Sequence, residues 1–309
     1  MDISIIIPAY NEKQNINKLY YELVLVLKKL NKNYEIIFID DGSTDGTFEE
    51  MFRLKKKDKR IKIIKFKKNF GQTAAWDAGF KNSTGDKIVV MDADLQNDPN
   101  DIPKLIKKLD EGYDVVSGWR YKRKDSISKK AFSYIANNLR RAMTGEKIHD
   151  SGCSLKIYKK ECVKNLTLYG EMHRYITAIL SWKGYKVGEV KVNHNPRKHG
   201  KTKYSLSRVF KGMMDLLLIA FWQKYSARPI HVFGLLGFIS ALFGVILGSL
   251  SFYFWAFKNV SLSDTFLPNV AVFLVLMGIN LLVFGIIADI CIKTYYKDED
   301  NYLIEKIVK

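Results

Sequence analysis

Two long apolar segments near the C-terminus constrain this chain more than any other feature. Residues 229–257 and 270–288 contain no Asp, Glu, Lys or Arg and are rich in Leu, Ile, Phe, Val and Gly. Each meets the requirement of about 20 apolar residues for crossing a hydrocarbon core of about 30 Å. Core helices of a soluble protein are the alternative, but uncharged runs of this length are uncommon in globular domains. We therefore predict two membrane spans, at about 230–257 and 270–290.

The charges beside these runs predict their orientation. Lys224 and Arg228 precede the first run and Lys293 and Lys297 follow the second, whereas the short connection contains a single lysine. Under the positive-inside rule both termini are cytoplasmic, which makes a two-span hairpin. The N-terminal stretch "MDISIIIPAYNE" has no basic region followed by a long apolar one, so no signal peptide is expected. The region before the spans is therefore predicted to lie in the cytoplasm.

About half of the net charge of +18 is concentrated just before the first span. From Trp182 to Arg228 there are eleven Lys or Arg residues and two acidic ones. Such a basic region can serve nucleic acid, anionic lipid or a phosphorylated substrate. Because it adjoins a predicted span, we expect an interfacial helix on anionic headgroups, with Arg208 and Lys211 near one helical face. An amphipathic helix packed on the soluble domain is the alternative.

Strands and helices alternate in the first part of the chain. The stretch "ISIIIPAYNE" predicts a strand that breaks at Pro8, and "YEIIFID", "IKIIKF" and "KIVVMDAD" predict three more strands, the last of them without polar alternation. The stretches "NINKLYYELVLVLKKL", "DGTFEEMFRLKKK" and "GQTAAWDAGFKNS" between them are interpreted as helices. This alternation predicts a mostly parallel, doubly wound α/β sheet.

Polar residues follow three of these strands. Because ligands bind outside the carboxyl ends of the strands in open α/β sheets, these residues predict a single cleft. No GxGxxG or GxxxxGK[ST] pattern follows any strand, which disfavours dinucleotide and P-loop sites. The residues concerned are Tyr10, Asn11 and Glu12 after the first strand, Asp40, Asp41 and Gly42 after the second, and Asp92, Asp94 and Gln96 after the fourth.

The stretch "IVVMDADLQNDP" carries two acids one residue apart. If its strand continued extended through Asp94, Asp92 and Asp94 would project to the same side and could face one cation. Oxygen ligands of this kind suit a hard ion such as Mg²⁺ or Mn²⁺. The alternative is a polar turn in which Asp94 or Asp98 caps the next helix. Since an acid-rich cleft needs a cation to bind an anion, the metal interpretation is favoured.

Seven motifs occur in an order and spacing that resemble the family-2 glycosyltransferases of the GT-A fold. They are "IIIPAYNE", "IDDGSTDGT", "NFGQTAA", "MDADLQNDP", "DSGCSLKIYKK", "EMHRYI" and "RKHGKTKYS". With the two C-terminal spans, the chain is similar to the polyprenyl-phosphate glycosyltransferases, the group of dolichol-phosphate mannose synthase and its bacterial undecaprenyl-phosphate relatives. The resemblance runs from about Ile3 to Ile292. It implies a Rossmann-like GT-A domain followed by interfacial helices and a transmembrane hairpin.

The resemblance also implies roles for individual residues. Asp92, Asp94 and Arg120 are the expected catalytic residues, and the metal is expected at Asp92, Asp94 and Gln96, with Asp94 and Gln96 in direct contact. Binding of the nucleotide sugar is implied for Pro8, Tyr10, Glu12, Asp41, Asp92, Ala93, Asp94, Gln96 and Arg174, and for Arg197 and Lys203 of a mobile basic loop. Arg120, Arg123, Ser133 and Asn137 are the candidates for the acceptor phosphate.

The implied reaction is inverting transfer of one sugar from a UDP- or GDP-linked donor to a dolichyl or undecaprenyl phosphate, with Mg²⁺ or Mn²⁺. A phosphate monoester is ionised near pH 7, because its second pKa is about 6, so no strong general base is required. Alternatives are a processive polysaccharide synthase, which commonly has a QxxRW motif and more spans, and a non-catalytic basic membrane assembly protein. Nucleic acid is not an expected partner, and homo-oligomers are possible because some relatives are tetramers.

These expectations divide the chain into four parts. The GT-A glycosyltransferase domain is predicted at residues 1–200 and the basic interfacial region at 201–228. The two spans occupy 229–292, and a cytosolic tail follows at 293–309.

Overall fold

The computed structural model describes residues 1–121, 145, 148–164, 166–168, 170–196, 229–258 and 260–295. These residues belong to two compact units, one that includes every described residue up to Pro196 and one that includes those from Pro229 onward. The basic region predicted at 201–228 lies outside the described residues. The predicted four-part division therefore stays a prediction.

The first unit is built on one seven-stranded sheet with the order β3-β2-β1-β4-β6-β5-β7. Neighbouring strands are parallel, except that β6 runs antiparallel to both β4 and β5. This confirms the predicted mostly parallel α/β sheet. The strands are β1 (Ile3–Ala9), β2 (Tyr34–Asp40), β3 (Ile61–Lys65), β4 (Lys87–Val90), β5 (Val115–Trp119), β6 (Lys156–Lys159) and β7 (Val187–Lys191).

Helices cover both faces of this sheet because the strands are apolar on both sides. The apolar face of α1, which includes Leu19 and Leu23, packs in one core with Ile5 and Phe38. On the other face, Trp76 and Phe80 of α3 pack in a second core with Ile6 and Ile37. The helices of this unit are α1 (Lys13–Lys29), α2 (Thr47–Lys57), α3 (Gln72–Asn82), α4 (Ile102–Asp110), α5 (Lys160–Lys164) and α6 (Ile176–Trp182), with short 3₁₀ turns at Pro99–Asp101 and Met172–Arg174.

The predicted break of the first strand at Pro8 was wrong. The strand continues to Ala9 and pairs with β2 along its whole length. On the β4 side the pairing ends at Ile6, whose carbonyl accepts a hydrogen bond from the Met91 amide. Because residues two apart in a strand point the same way, the missing N–H of Pro8 faces the side where this pairing has ended. Pro8 therefore removes no hydrogen bond from the sheet.

The second unit contains two long apolar helices, α7 (Ile230–Lys258) and α8 (Leu267–Tyr295), joined by a connection with a short 3₁₀ turn at Leu262–Asp264. Both are long and apolar enough to cross a membrane, as predicted from their composition. Their large side chains, such as Phe243 and Phe273, are mostly exposed. A soluble core helix would bury such side chains, so their exposure favours a lipid environment.

Small residues let the two helices approach closely. A Cβ atom added to Gly278 would lie 2.6 Å from the carbonyl oxygen of Gly237, and one added to Gly244 would lie 2.8 Å from that of Ala271. Helix pairs in membranes use small residues in this way, because lipid gives no hydrophobic drive for association. The hydroxyl of Ser240 also donates a hydrogen bond of 2.8 Å to the Leu274 carbonyl.

We expect Gly278→Val to destabilise the hairpin by about 1–3 kcal/mol, the usual cost of overpacking. The added side chain must displace the Gly237 backbone, which cannot rotate away. Thermal unfolding of the purified protein in nanodiscs measures the effect. The matched control is Gly248→Ala, because a Cβ there would meet only the Ala271 Cβ, at 3.7 Å. Equal melting temperatures for the two variants would contradict the close packing at Gly278.

Candidate active site

The chain segments after β1 and β2 are joined by hydrogen bonds at the carboxyl edge of the sheet. The Asn11 amide donates to the Ser43 hydroxyl at 3.0 Å, and the Glu12 amide donates to the Thr47 hydroxyl at 2.9 Å. In return, the Asn11 side-chain carbonyl accepts from the Thr44 amide at 2.9 Å. The two segments therefore form one wall, which carries the predicted nucleotide-binding residues of both strands.

Asp41 connects this wall to the start of α3. Its carboxylate accepts hydrogen bonds from the amides of Phe70 at 2.7 Å and Gly71 at 3.0 Å, and the residue is buried. Burial raises the pKa of Asp41, and the two amide hydrogen bonds act against that change. The next residue, Gly42, has a φ of +73°, and a Cβ there would lie 2.5 Å from the Lys68 carbonyl carbon. Only glycine fits this close approach.

The acid pair lies in the loop that follows β4 and not within the strand. The strand ends at Val90, and Leu95 has a φ of +62°. Burial raises the pKa of Asp92 to about 6, and the negative charge of Asp94 is the second cause. The two carboxylates are therefore close enough to interact, but the strand does not continue through Asp94, as the geometric argument from the sequence assumed. The alternative interpretation, a polar turn with a capping acid, holds for Asp98, because its side chain caps the next 3₁₀ turn by accepting a hydrogen bond from the Asn100 amide.

The acid pair suits a hard divalent cation. In the part of the chain that the structure describes, no three His, Cys, Asp or Glu side chains form a metal-binding group. Mg²⁺ needs no such group, because it usually keeps several waters and binds one or two carboxylates together with substrate phosphates. A cation beside Asp92 and Asp94 would favour their ionised forms and lower the raised pKa of Asp92 again. The residues present therefore fit the metal that the resemblance implies.

Asp92 is held by side chains from two other segments. The Gln72 amide nitrogen donates to its Oδ1 at 2.8 Å from the first residue of α3. The Ser154 hydroxyl also hydrogen-bonds Asp92 and in turn accepts from the Asn97 side chain at 2.8 Å. The sequence motifs gave no role to Gln72 or Ser154, although both lie inside them. These contacts hold the carboxylate in a defined orientation.

Arg120 lies at the same edge in a two-point ion pair. Its Nε and Nη2 atoms donate to the two carboxylate oxygens of Asp150, at 2.6 and 2.8 Å. Both side chains are largely buried, with 14% and 13% exposed. Burial opposes the charge of Arg120, but the Asp150 hydrogen bonds and charge raise its pKa overall. The charge of Arg120 also acts on Asp92, so the cleft holds a fixed cation beside the acid pair.

His173 and Arg174 lie on a 3₁₀ turn that packs against the start of α3. His173 Nδ1 is 2.6 Å from the Thr73 hydroxyl, and its ring meets the Trp76 ring edge-on at 5.8 Å between centroids. Burial lowers the pKa of His173 to about 3, with smaller effects from Arg174 and Lys156. The imidazole is therefore neutral and structural at pH 7. Arg174 is partly exposed and pairs with Glu171 at 3.2 Å.

Lowering the pH from 7 to 5 is expected to remove about 2 kcal/mol of folding free energy at His173. Its folded pKa of about 3 lies below the ordinary 6.5, so the unfolded chain binds a proton that the folded chain excludes. This stability is present above pH 6.5 and is lost as the pH falls toward 3. The raised pKa of Asp92 acts in the opposite direction, so the comparison must be with a variant.

The comparison variant is His173→Gln, which keeps a polar group but cannot titrate. Unfolding free energies of both proteins at pH 7 and pH 5 give the difference, in which Asp92 and other groups cancel. The wild-type protein should lose about 2 kcal/mol more than the variant. Identical losses would show that His173 is not excluded from protonation in the folded state.

The structure thus places the described candidates at one sheet edge and adds residues that were not predicted. Pro8, Tyr10, Glu12, Asp41, Asp92, Ala93, Asp94, Gln96 and Arg120 lie at the carboxyl ends of the strands, and Arg174 lies on the turn against α3. The candidates Arg123, Ser133, Asn137, Arg197 and Lys203 lie outside the described residues. The additional residues are Gln72, Asp150, Ser154, Lys156 and His173, all of which lie inside the quoted motifs.

The mostly parallel sheet, with acids at its carboxyl edge and an arginine beside them, has the GT-A fold of glycosyltransferases. The chain belongs to glycosyl transferase family 2, whose sequence profile matches residues 4–167. Solved structures agree on the fold. One is glucosyl-3-phosphoglycerate synthase from Mycobacterium tuberculosis in complex with Mn²⁺, UDP-glucose and phosphoglyceric acid. Its superposition on this chain has a TM-score of 0.56 at 16% sequence identity, and it covers 72% of this chain and 79% of the synthase.

Two relatives match far beyond the family profile. Dodecaprenyl-phosphate galacturonate synthase from Rhizobium johnstonii is 38% identical over 99% of this chain and 93% of its own length. Undecaprenyl-phosphate 4-deoxy-4-formamido-L-arabinose transferase from Salmonella choleraesuis is 35% identical over 80% of this chain and 75% of its own length. Both names denote polyprenyl-phosphate glycosyltransferases, which confirms the resemblance seen in the motifs.

Proposed function

We propose that this protein transfers one sugar from a nucleotide diphosphate sugar to a polyprenyl phosphate. The observation that carries the proposal is the acid pair of partly buried Asp92 and buried Asp94 beside the Arg120–Asp150 ion pair at the carboxyl edge of the sheet. Carboxylates alone would repel both phosphorylated substrates, so we expect a cation between the carboxylates and the phosphates. The names of the two relatives support the lipid acceptor.

The donor is proposed to lie along the wall formed by the segments after β1 and β2. Pro8, Tyr10, Glu12 and Asp41 would hold the base and ribose, and Ala93 would pack beside them. Asp92, Asp94 and Gln96 would hold Mg²⁺ or Mn²⁺. When bound, that ion neutralises the diphosphate leaving group. The structural neighbour that contains Mn²⁺ and UDP-glucose supports this arrangement by fold alone.

The transfer is proposed to be a single displacement with inversion. An oxygen of the acceptor phosphate attacks the anomeric carbon, the bond from that carbon to the diphosphate breaks, and the nucleotide diphosphate leaves with the electron pair. Because the attacking oxygen is already ionised near pH 7, the chain needs no strong base. Neutral, buried His173 fits that expectation. Arg120 is proposed to attract the acceptor phosphate, with Arg123, Ser133 and Asn137, while Arg174, Arg197 and Lys203 contact the donor.

The membrane hairpin fits an acceptor that is itself a lipid. We propose that α7 and α8 span the membrane with both termini in the cytoplasm. Lys224 and Arg228 before α7, together with Lys293 in the last turn of α8 and Lys297 just after it, support that orientation under the positive-inside rule. The protein and its acceptor would then share one bilayer.

Transfer of labelled sugar to a short polyprenyl phosphate tests the proposal. The purified protein is incubated with UDP-galacturonate, UDP-linked 4-deoxy-4-formamido-L-arabinose, UDP-glucose or GDP-mannose, with and without EDTA. A monosaccharide that extracts into organic solvent, and is lost with EDTA, supports the proposal. A long polymer would indicate a processive synthase instead. Absence of turnover with a broad donor panel would favour a non-catalytic assembly protein.

A further inference from the structure

A buried lysine lies directly below the acid pair. Lys156 is the first residue of β6 and pairs with Val90 of β4 and Ser117 of β5, so it stands at the carboxyl edge of the sheet, two positions below Asp92. It is 1% exposed. Lysine is almost never fully buried unless its charge is compensated. A lysine at this position therefore needs a physical reason.

The contacts of Lys156 are with neutral groups. Its Nζ donates to the Ser151 carbonyl at 2.9 Å and to the Cys153 carbonyl, and it lies 5.6 Å from the centroid of the Trp76 ring. Burial lowers the pKa of Lys156 to about 8, and Arg120 acts in the same direction, whereas Cys153, Asp150 and Asp92 act against that change. The ammonium is thus retained by two carbonyls of one loop and by carboxylates of the active site.

That loop, residues 150–155, carries two groups of the site. At its start, Asp150 holds the guanidinium of Arg120 at two points. Near its end, Ser154 hydrogen-bonds Asp92. Lys156 binds the loop between these two positions, at Ser151 and Cys153. The buried Lys156 side chain therefore holds the backbone of this loop. The loop in turn orients Arg120 through Asp150, and Asp92 through Ser154.

We propose that Lys156 is a positioning residue of the active site, which acts through the 150–155 loop on Arg120 and Asp92. The inference rests on the proposed function, because it assigns Lys156 to the metal and phosphate site described there. Residues that orient metal ligands from behind typically change metal affinity or activity by about 10–100-fold when they are replaced. Loss of Lys156 should therefore affect binding of the metal and nucleotide as well as turnover.

The test measures binding without turnover and then kinetics. Calorimetric titration of full-length protein in nanodiscs with UDP and Mn²⁺ should show an affinity about 10-fold weaker for Lys156→Met, and kcat should fall about 10–100-fold. Lys156→Arg, which keeps charge and donors, should recover most of both losses. The matched control is Lys159→Met on the same strand, because Lys159 is 39% exposed and pairs with Asp114 away from the site. It should leave affinity and kcat unchanged.

A second comparison covers the case in which Lys156→Met does not fold. Lys156→Gln, which keeps hydrogen-bond donors, is then combined with Asp150→Asn, and the losses in kcat/KM are compared. If Lys156 acts through the loop, the double variant should be little worse than the poorer single variant. If the kcat/KM losses of the two single variants multiply in the double variant, the inference is overturned. Binding and kcat at wild-type levels in Lys156→Met would overturn it as well. If the wild-type protein neither binds UDP and Mn²⁺ nor transfers sugar, the proposed function fails and the inference fails with it.

Discussion

Replacing Asp94 with asparagine is expected to lower sugar transfer by about 10²-fold or more, the usual effect of removing a group that stabilises charge in the transition state. Asp94 is 5% exposed, and its charge is close enough to Asp92 to raise the pKa of that carboxyl. Asparagine has nearly the same shape but no charge, so it should weaken the hold on a divalent cation and leave the turn intact. Initial rates with saturating donor and a series of Mn²⁺ concentrations measure the effect.

Two observations separate this result from a general loss of structure. The Asp94 carboxylate accepts a hydrogen bond from the Gln96 amide at 3.1 Å, which an asparagine carbonyl can also accept, so the melting temperature should stay near that of the wild type. The matched control is Asp110→Asn, because Asp110 is half exposed on α4 and pairs only with Lys87 in the described ion pairs. That control should keep full activity. Near wild-type turnover in Asp94→Asn would refute the assigned role of Asp94.

The strands and helices of the first half could be predicted from sequence because their periodic signals are strong. Four largely apolar strands alternate with three helices before residue 91, and the structure has all of them. The antiparallel β6 was not predicted, because "LKIYK" is short and its place between β4 and β5 depends on pairing with distant residues. Short strands with non-local partners have no local signature beyond their apolar pattern.

The candidate site also has residues that the sequence could predict and contacts that it could not. Asp41, Asp92 and Asp94 could be predicted because they directly follow strands, and the topology of parallel sheets gathers strand ends. The left-handed turn that directly follows the acid pair could not be predicted, since it depends on a positive φ at Leu95, a residue that seldom adopts one. The partners of the acids are also non-local. Asp150 follows Arg120 by thirty residues, and no motif spacing reports such a contact.

Replacing Arg120 with methionine is expected to lower kcat/KM for the lipid acceptor by about 10²–10³-fold. The variant removes the fixed cation from the cleft and leaves Asp150, only 13% exposed, without the guanidinium that neutralises it. Breaking a buried ion pair in this way typically costs about 3–5 kcal/mol of stability, so lost activity alone would not identify the role of Arg120. Arg53→Met is the matched control, because Arg53 is 72% exposed and pairs with Glu50 on α2.

A charge exchange separates the two roles of Arg120. The double variant Arg120→Asp with Asp150→Arg keeps one acid and one guanidinium in contact but moves the positive charge to the 150–155 loop. If the ion pair only stabilises the fold, the exchange should restore both the melting temperature and the transfer rate of the wild type. If the guanidinium attracts phosphate from its place at the end of β5, the exchange should restore the melting temperature but leave the transfer rate at least about 10²-fold below that of the wild type. The reason is that a contact with phosphate depends on the position of the guanidinium as well as on its charge.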